Sequence, residues 1–239
     1  MLVWLGVMGT QLPSRADALA QTARDIAGKW QSTVISIELV VKVKMSMFGK
    51  EEVEENKSDA IGTIIDPSGL VVTANSSIDV MDMFSDMMSG DAEEGAKVTS
   101  EITSVKYVLP DGSSIPAQIV LRDKDLDLVF LRPLKPLAKP LTALDLTQSV
   151  EPGLFDETIV LNRLGKVADR TISVASARIQ AVVEKPRKYF VMLEPLSEYG
   201  TPVFSAEGKL IGIQVVRKLP KGAGSSGKFG DDMDTLPIT

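Results

Sequence analysis

From Thr33 onwards the chain alternates with a period of two. Ile35, Ile37, Leu39, Val41 and Val43 fall on one side, and Ser36, Glu38, Val40, Lys42 and Lys44 on the other, which predicts a half-buried strand. The apolar runs 61–65 and 70–73 flank Asp66-Pro67-Ser68-Gly69, with Pro second and Gly fourth as a type I turn prefers. Runs 105–109 and 115–121 flank Pro110-Asp111-Gly112-Ser113 in the same way and predict another hairpin. Strand patterns recur at 126–131, 158–161, 172–182, 189–193, 203–204 and 210–213. Short runs divided by Gly, Pro and Asp predict an all-β protein. A helical period occurs near the start, where Leu19, Ala23, Ile26, Ala27 and Trp30 share one face.

The polar stretches divide this pattern. Gly49 to Asp59 is acidic and reads as a solvated hairpin loop. Residues 79–100 form a Met-rich acidic insertion whose apolar positions suit an amphipathic helix over 77–88 and a docking face. Pro133 to Pro140, with three prolines, reads as a linker between two halves, and Lys221 to Gly230 is rich in Gly and Ser. The resulting organisation is an N-terminal β-barrel over 21–138 that carries the insertion, and a C-terminal one over 139–239. Residues 1–20 stand apart as an export-signal remnant or a helical arm. Leu2 to Met8 is a short apolar run, and Ala18-Leu19-Ala20 would allow cleavage before Gln21, although no Lys or Arg precedes the run. The signal reading places the protein outside the cytoplasm, periplasmic or secreted.

Composition narrows the chemistry. The 239 residues carry a net charge of -6, which argues against nucleic acid or an anionic membrane surface as partner. No apolar stretch reaches the roughly 18 residues of a membrane span, so no membrane insertion is expected. With 0 Cys there are no disulfides and no thiolate sites. Met45, Met47, Met81, Met83, Met87 and Met88 could be read as soft thioether ligands, but adaptable apolar packing is the simpler account; neither metal nor cofactor is expected. With 0 His as well, neither a Ser-His-Asp triad nor a Cys-His pair can be assembled.

One stretch organises the rest: Ser197-Glu198-Tyr199-Gly200-Thr201-Pro202-Val203-Phe204, a turn at 206–209, then Leu210-Ile211-Gly212-Ile213. It resembles the nucleophile segment of trypsin-like serine proteases, most closely the HtrA-type branch, where Gly-Asn-Ser-Gly-Gly-Pro-Leu leads through a Gly-bearing turn to Val-Ile-Gly-Ile. Gly200, Pro202, Val203, Gly208, Ile211, Gly212 and Ile213 match. On this template Tyr199 occupies the nucleophile position and Ser197 the oxyanion-hole glycine. The hairpin 61–73 runs into Val72-Thr73-Ala74-Asn75-Ser76-Ser77-Ile78, which puts Ser76 at the position of the catalytic His. Asp123 to Leu131 resembles the segment of the third triad member and puts Asp127 there; an Asp at a strand start is also kept for its hydrogen bonds alone.

The resemblance covers about residues 30–238 and implies two six-stranded antiparallel barrels with a cleft between them. The chain stops at Leu236 to Thr239, where the family continues into a C-terminal helix, so it is read as a fragment or as a form without that helix or a PDZ module. The expected function is a catalytically inactive homologue that binds a protein or extended peptide in or beside the cleft, with its oligomeric state open. Two alternatives stand: a hydrolase using Ser197 or Thr201 with a desolvated lysine such as Lys188 or Lys209, and a structural subunit of an envelope assembly.

Overall fold

The computed structural model describes residues 15–47, 50–79, 97–185, 187–192, 198–218 and 235–239. It opens with helix α1 (Arg15–Trp30), whose Leu19, Ala23, Ile26, Ala27 and Trp30 pack on the core of the second half. Their spacing puts them on one stripe, and burying that stripe holds the helix in place. Ala18-Leu19-Ala20, the cleavage site expected of a signal, lies inside this helix.

Six strands follow: β1 (Val34–Met47), β2 (Lys50–Asp66), β3 (Leu70–Ala74), β4 (Lys97–Val108), β5 (Ser114–Asp123) and β6 (Leu128–Pro133). They close a barrel in the order β1-β2-β3-β6-β5-β4. Ile35, Ile37, Leu39, Ile64, Val71 and Leu131 fill it, with Tyr107 fully buried among them. The segment 49–59, read as a loop, is instead strand from Lys50 on. It pairs residue by residue with β1, from Met47↔Lys50 to Glu38↔Asp59, so that Lys42 faces Glu55. Glutamates have little strand preference of their own, and here the partner strand imposes the conformation. The last residues of the insertion are likewise strand, because β4 begins at Lys97 and pairs with Ser46 of β1. A single helical turn, α2 (Asn75–Ile78), follows β3. The helix expected over 77–88 falls almost wholly on 80–96, outside the described residues.

After β6 the chain stays on the first barrel: Leu141 and Ala143 pack on its core, and the Leu144 amide bonds the Ile64 carbonyl at 2.9 Å. The second half holds β7 (Glu157–Arg163), β8 (Ile172–Arg178), β9 (Ala181–Val183), β10 (Tyr189–Val191), β11 (Pro202–Ser205), β12 (Leu210–Ile213), β13 (Val215–Lys218) and β14 (Thr235–Ile238). Among the described residues these make two four-stranded sheets, β12-β11-β7-β8 and β13-β14-β10-β9, where a second closed barrel was expected. The run 172–182 breaks at Ile179 and Gln180, whose amides turn to Asp156 and Val191. The run 210–218 breaks at Gln214, whose amide bonds the Thr201 carbonyl at 2.8 Å.

Arg163, at the end of β7, is buried at the junction of the halves. Its guanidinium donates to the carbonyls of Val34, Arg170 and Gln31 at 2.7, 2.7 and 2.6 Å, tying α1 and β1 to the end of β7. Burial lowers its pKa, and these three partners among the described residues are neutral carbonyls. No described helix is long and apolar enough to cross a membrane.

Candidate functional site

Asp127 stands immediately before β6 with a left-handed backbone (φ 56°), a conformation Asp tolerates better than most residues. That kink turns its carboxylate inward, where the residue is 8% exposed. Three donors meet it. The Ser76 amide reaches Oδ1 at 2.7 Å and the Ser76 hydroxyl reaches Oδ2 at 2.8 Å. The third, the Val216 amide, comes from β13 in the other half of the molecule and reaches Oδ2 at 2.9 Å. The backbone closes the same junction, since the Asn75 amide bonds the Asp127 carbonyl at 2.9 Å. Asp127 therefore fastens α2 and β13 to the barrel.

Tyr199 lies beside this carboxylate. It is half-buried and packs against the cluster formed by Ala74, Val191, Val215 and Ile238, residues from both halves. Burial first, and the charge of Asp127 second, push its phenol above the ordinary value of 10.0. A tyrosine shifted in this direction stays protonated at neutral pH, so it is a donor and not a nucleophile. Ser197 lies outside the described residues. Ser76, Asp127 and Tyr199, separated by up to 123 positions (199 minus 76), thus converge on one junction.

Gly200 explains why the loop comes so close. Its φ is 88°, and a Cβ there would lie 2.6 Å from the Ile61 carbonyl oxygen and 2.7 Å from Thr73 Oγ1. Only glycine fits. Its amide donates to the Gln214 carbonyl at 2.7 Å, and its carbonyl accepts from the Thr63 hydroxyl at 2.8 Å. The Thr73 hydroxyl donates to the Ile61 carbonyl at 2.6 Å. Thr63, Thr73, Gln214 and the Val216 amide went unread as site residues. The available signals were faint: two threonines inside apolar runs, and a Gln interrupting one. Gln214 is fully buried; its Oε1 lies 3.4 Å from the Thr201 hydroxyl, while its Nε2 has no partner among the described residues.

Of the proposed hydrolase groups, Thr201 lies in the same loop as Gly200. Thr201 is fully buried, and its hydroxyl faces the Glu198 carbonyl and Gln214. Lys188 is held by Glu151, whose hydrogen bond raises the ammonium pKa and keeps the amine protonated, so it is not available to take a proton. Lys209 is exposed in the turn before β12. Glu198, next to Tyr199, has its carboxyl pushed up by burial and then by Asp59. Among the described residues no cluster of three or more His, Cys, Asp or Glu is placed to hold a metal.

A family model described as a trypsin-like peptidase domain matches residues 60–213, well over half of the chain, and takes in α2, Asp127 and the loop around Gly200. No curated protein matches the chain.

Proposed function

We propose, for a chain that belongs to the trypsin-like peptidase domain family, that it is a protease homologue without the reaction, which binds a protein or extended peptide beside the old active site. The observation that carries this reading is the Asp127 carboxylate. In the HtrA-type arrangement, which we take as the nearest branch, this group orients an imidazole. Here it accepts the Ser76 amide and hydroxyl and the Val216 amide, which take up three of its lone-pair directions. A carboxylate by itself, with no imidazole between, is too weak a base to draw a proton from a serine hydroxyl at neutral pH. Tyr199 stands at the nucleophile position as a protonated phenol.

Binding by strand addition needs main-chain edges and no base, so it outlives the chemistry. We take the two four-stranded sheets as the family's second barrel, opened at Ile179-Gln180 and at Gln214. On that view β13 is the edge that faces the cleft. Its Val216 amide is already committed to Asp127, so a peptide pairs with the flanking edges instead. The apolar run Leu2 to Met8 supports export to the periplasm or beyond. The position of Leu19 on the core supports a mature protein that keeps α1.

The test is activity-based labelling. A fluorophosphonate probe is expected to leave the purified protein unmodified, with casein and small esters hydrolysed at background rate. Covalent labelling that disappears on mutating one Ser or Thr would sink the reading.

A further inference from the structure

Away from that junction, α1 and the sheet beneath it enclose a groove of ≈ 580 Å³. Ala16, Ala20 and Ala23 of α1 form one wall, and Val174, Ala175 and Ser176 of β8 form the other. We propose that this groove and the free edge of β8 are a docking site for an extended, apolar, acidic peptide segment of a partner protein, added to the sheet as a strand.

Three observations converge on it. First, β8 ends its sheet; it pairs with β7 over all seven residues, Ile172–Arg178, and with no other described strand. A seven-residue strand leaves a row of outward amides and carbonyls, and folded proteins normally block such rows with charge, proline or a bulge. This chain does so elsewhere: the outer edge of β2 carries Glu51, Glu52, Glu54 and Glu55. On β8, Ile-Ser-Val-Ala-Ser-Ala precedes a single charge at Arg178. Second, three of the five α1 residues that line the groove are alanines, so room remains for the side chains of an incoming strand. An edge strand with a helix alongside is the arrangement into which peptides add by main-chain hydrogen bonds.

Third, the end of the groove is marked by strain and exposed apolar surface. Phe155 holds a left-handed backbone (φ 68°), costly for an aromatic residue, and remains 67% exposed. Arg178 lies over its ring at 4.6 Å and bonds its carbonyl at 3.2 Å, which joins it to the groove. The charge of the lining decides the chemistry of the occupant. Among the described lining residues Arg178 is paired with Glu157 at 2.7 Å, and Arg24 carries the remaining charge, +1 in a chain of net charge -6. An apolar segment bearing a carboxylate complements it.

The experiment is fluorescence anisotropy on the full chain. The probe is a fluorescein-labelled seven-residue peptide of alternating valine and threonine carrying one glutamate, compared with its lysine counterpart. Saturable binding of the glutamate form is expected, at least tenfold tighter than the lysine form. Ala20→Phe, which fills the groove, and Ser176→Lys, which blocks the edge, should each weaken it at least tenfold with unchanged circular dichroism. Val53→Lys on the guarded β2 edge should leave it unchanged. No saturable binding, equal binding of both peptides, or equal loss in all three variants would overturn the proposal. So would a concentration-dependent dimer that Ser176→Lys abolishes, which would assign the edge to a second copy. None of these readouts depends on the Asp127 junction.

Discussion

At the scale of the residue, two positions decide whether the junction between the halves survives. Asp127 accepts hydrogen bonds from the Ser76 amide and hydroxyl and the Val216 amide, and each bond to an ionised acceptor stabilises by roughly 1.5–3 kcal/mol. Asp127→Ala strands the buried Val216 amide and the Ser76 amide, and is expected to cost about 3 kcal/mol. Ser76→Ala removes only the hydroxyl bond and should cost about 1–2 kcal/mol. Urea denaturation midpoints check both. An unchanged midpoint in Asp127→Ala would mean that the carboxylate has no structural duty. Gly200→Ala combines a left-handed backbone with a Cβ 2.6 Å from a carbonyl oxygen that belongs to a barrel strand. Neither neighbour is a flexible chain end, so at least about 3 kcal/mol should be lost. Near-normal stability in that variant would show that the loop can withdraw from β2 and β3.

Among the elements, the halves are held by charges whose pH response has a definite sign. Glu38 on β1 meets Lys106 of β4 at 2.7 Å, Lys166 at 3.1 Å, and Arg170. The hydrogen bond from Lys106 is the largest influence, and the carboxyl is held down at about 2 against an ordinary 4.5. A depressed acid contributes its stability above the unfolded value and loses it as pH falls through the folded one, so the loss runs from about pH 4.5 to 2. Both lysines are about half exposed, which discounts the effect to roughly 1–2 kcal/mol. Glu38→Gln should lower stability by that amount at pH 7 and flatten the acid limb in this window. A parallel limb would place the acid sensitivity elsewhere.

This network was not legible beforehand, and the reason is general. The hairpins around Asp66 to Gly69, Pro110 to Ser113 and 206–209 are written locally, in alternation and turn residues. The strand at 50–59 is not, because its glutamates are held extended by β1, a partner specified by another part of the chain. The breaks at Ile179 and Gln214 depend on which distant carbonyl an amide finds, and Arg163 acts on carbonyls more than 100 residues away in sequence. At the junction, the positions of Ser76, Asp127 and Tyr199 could be located by motif. The bonds that give them a purpose, from Val216 and around Gly200, could not.

At the scale of the whole molecule, the bonding around Asp127 makes restoring activity a sharp test of the proposed inactivity. A family protease leaves a carboxylate oxygen for an imidazole and open space for a substrate carbonyl. Here Asp127 Oδ2 is shared by the Ser76 hydroxyl and an amide of β13, and Tyr199 packs against a cluster that holds residues of both halves. Ser76→His would place a larger side chain where the present one already lies 2.8 Å from the carboxylate. Tyr199→Ser would remove a ring that packs on the cluster around Ala74 and Val215, and would leave a cavity costing about 3 kcal/mol. The triple variant Ser76→His, Tyr199→Ser, Ser197→Gly is therefore expected to be less stable than the native protein by a few kcal/mol. Its peptide hydrolysis should stay within about tenfold of background, because its three groups lack the surrounding shape that holds a reacting carbonyl within reach. Turnover typical of an enzyme, about 1 per second or faster, would show that the substitutions alone separate this chain from an active protease. It would return the cleft to the substrate and leave the α1–β8 groove as a second, separate binding surface.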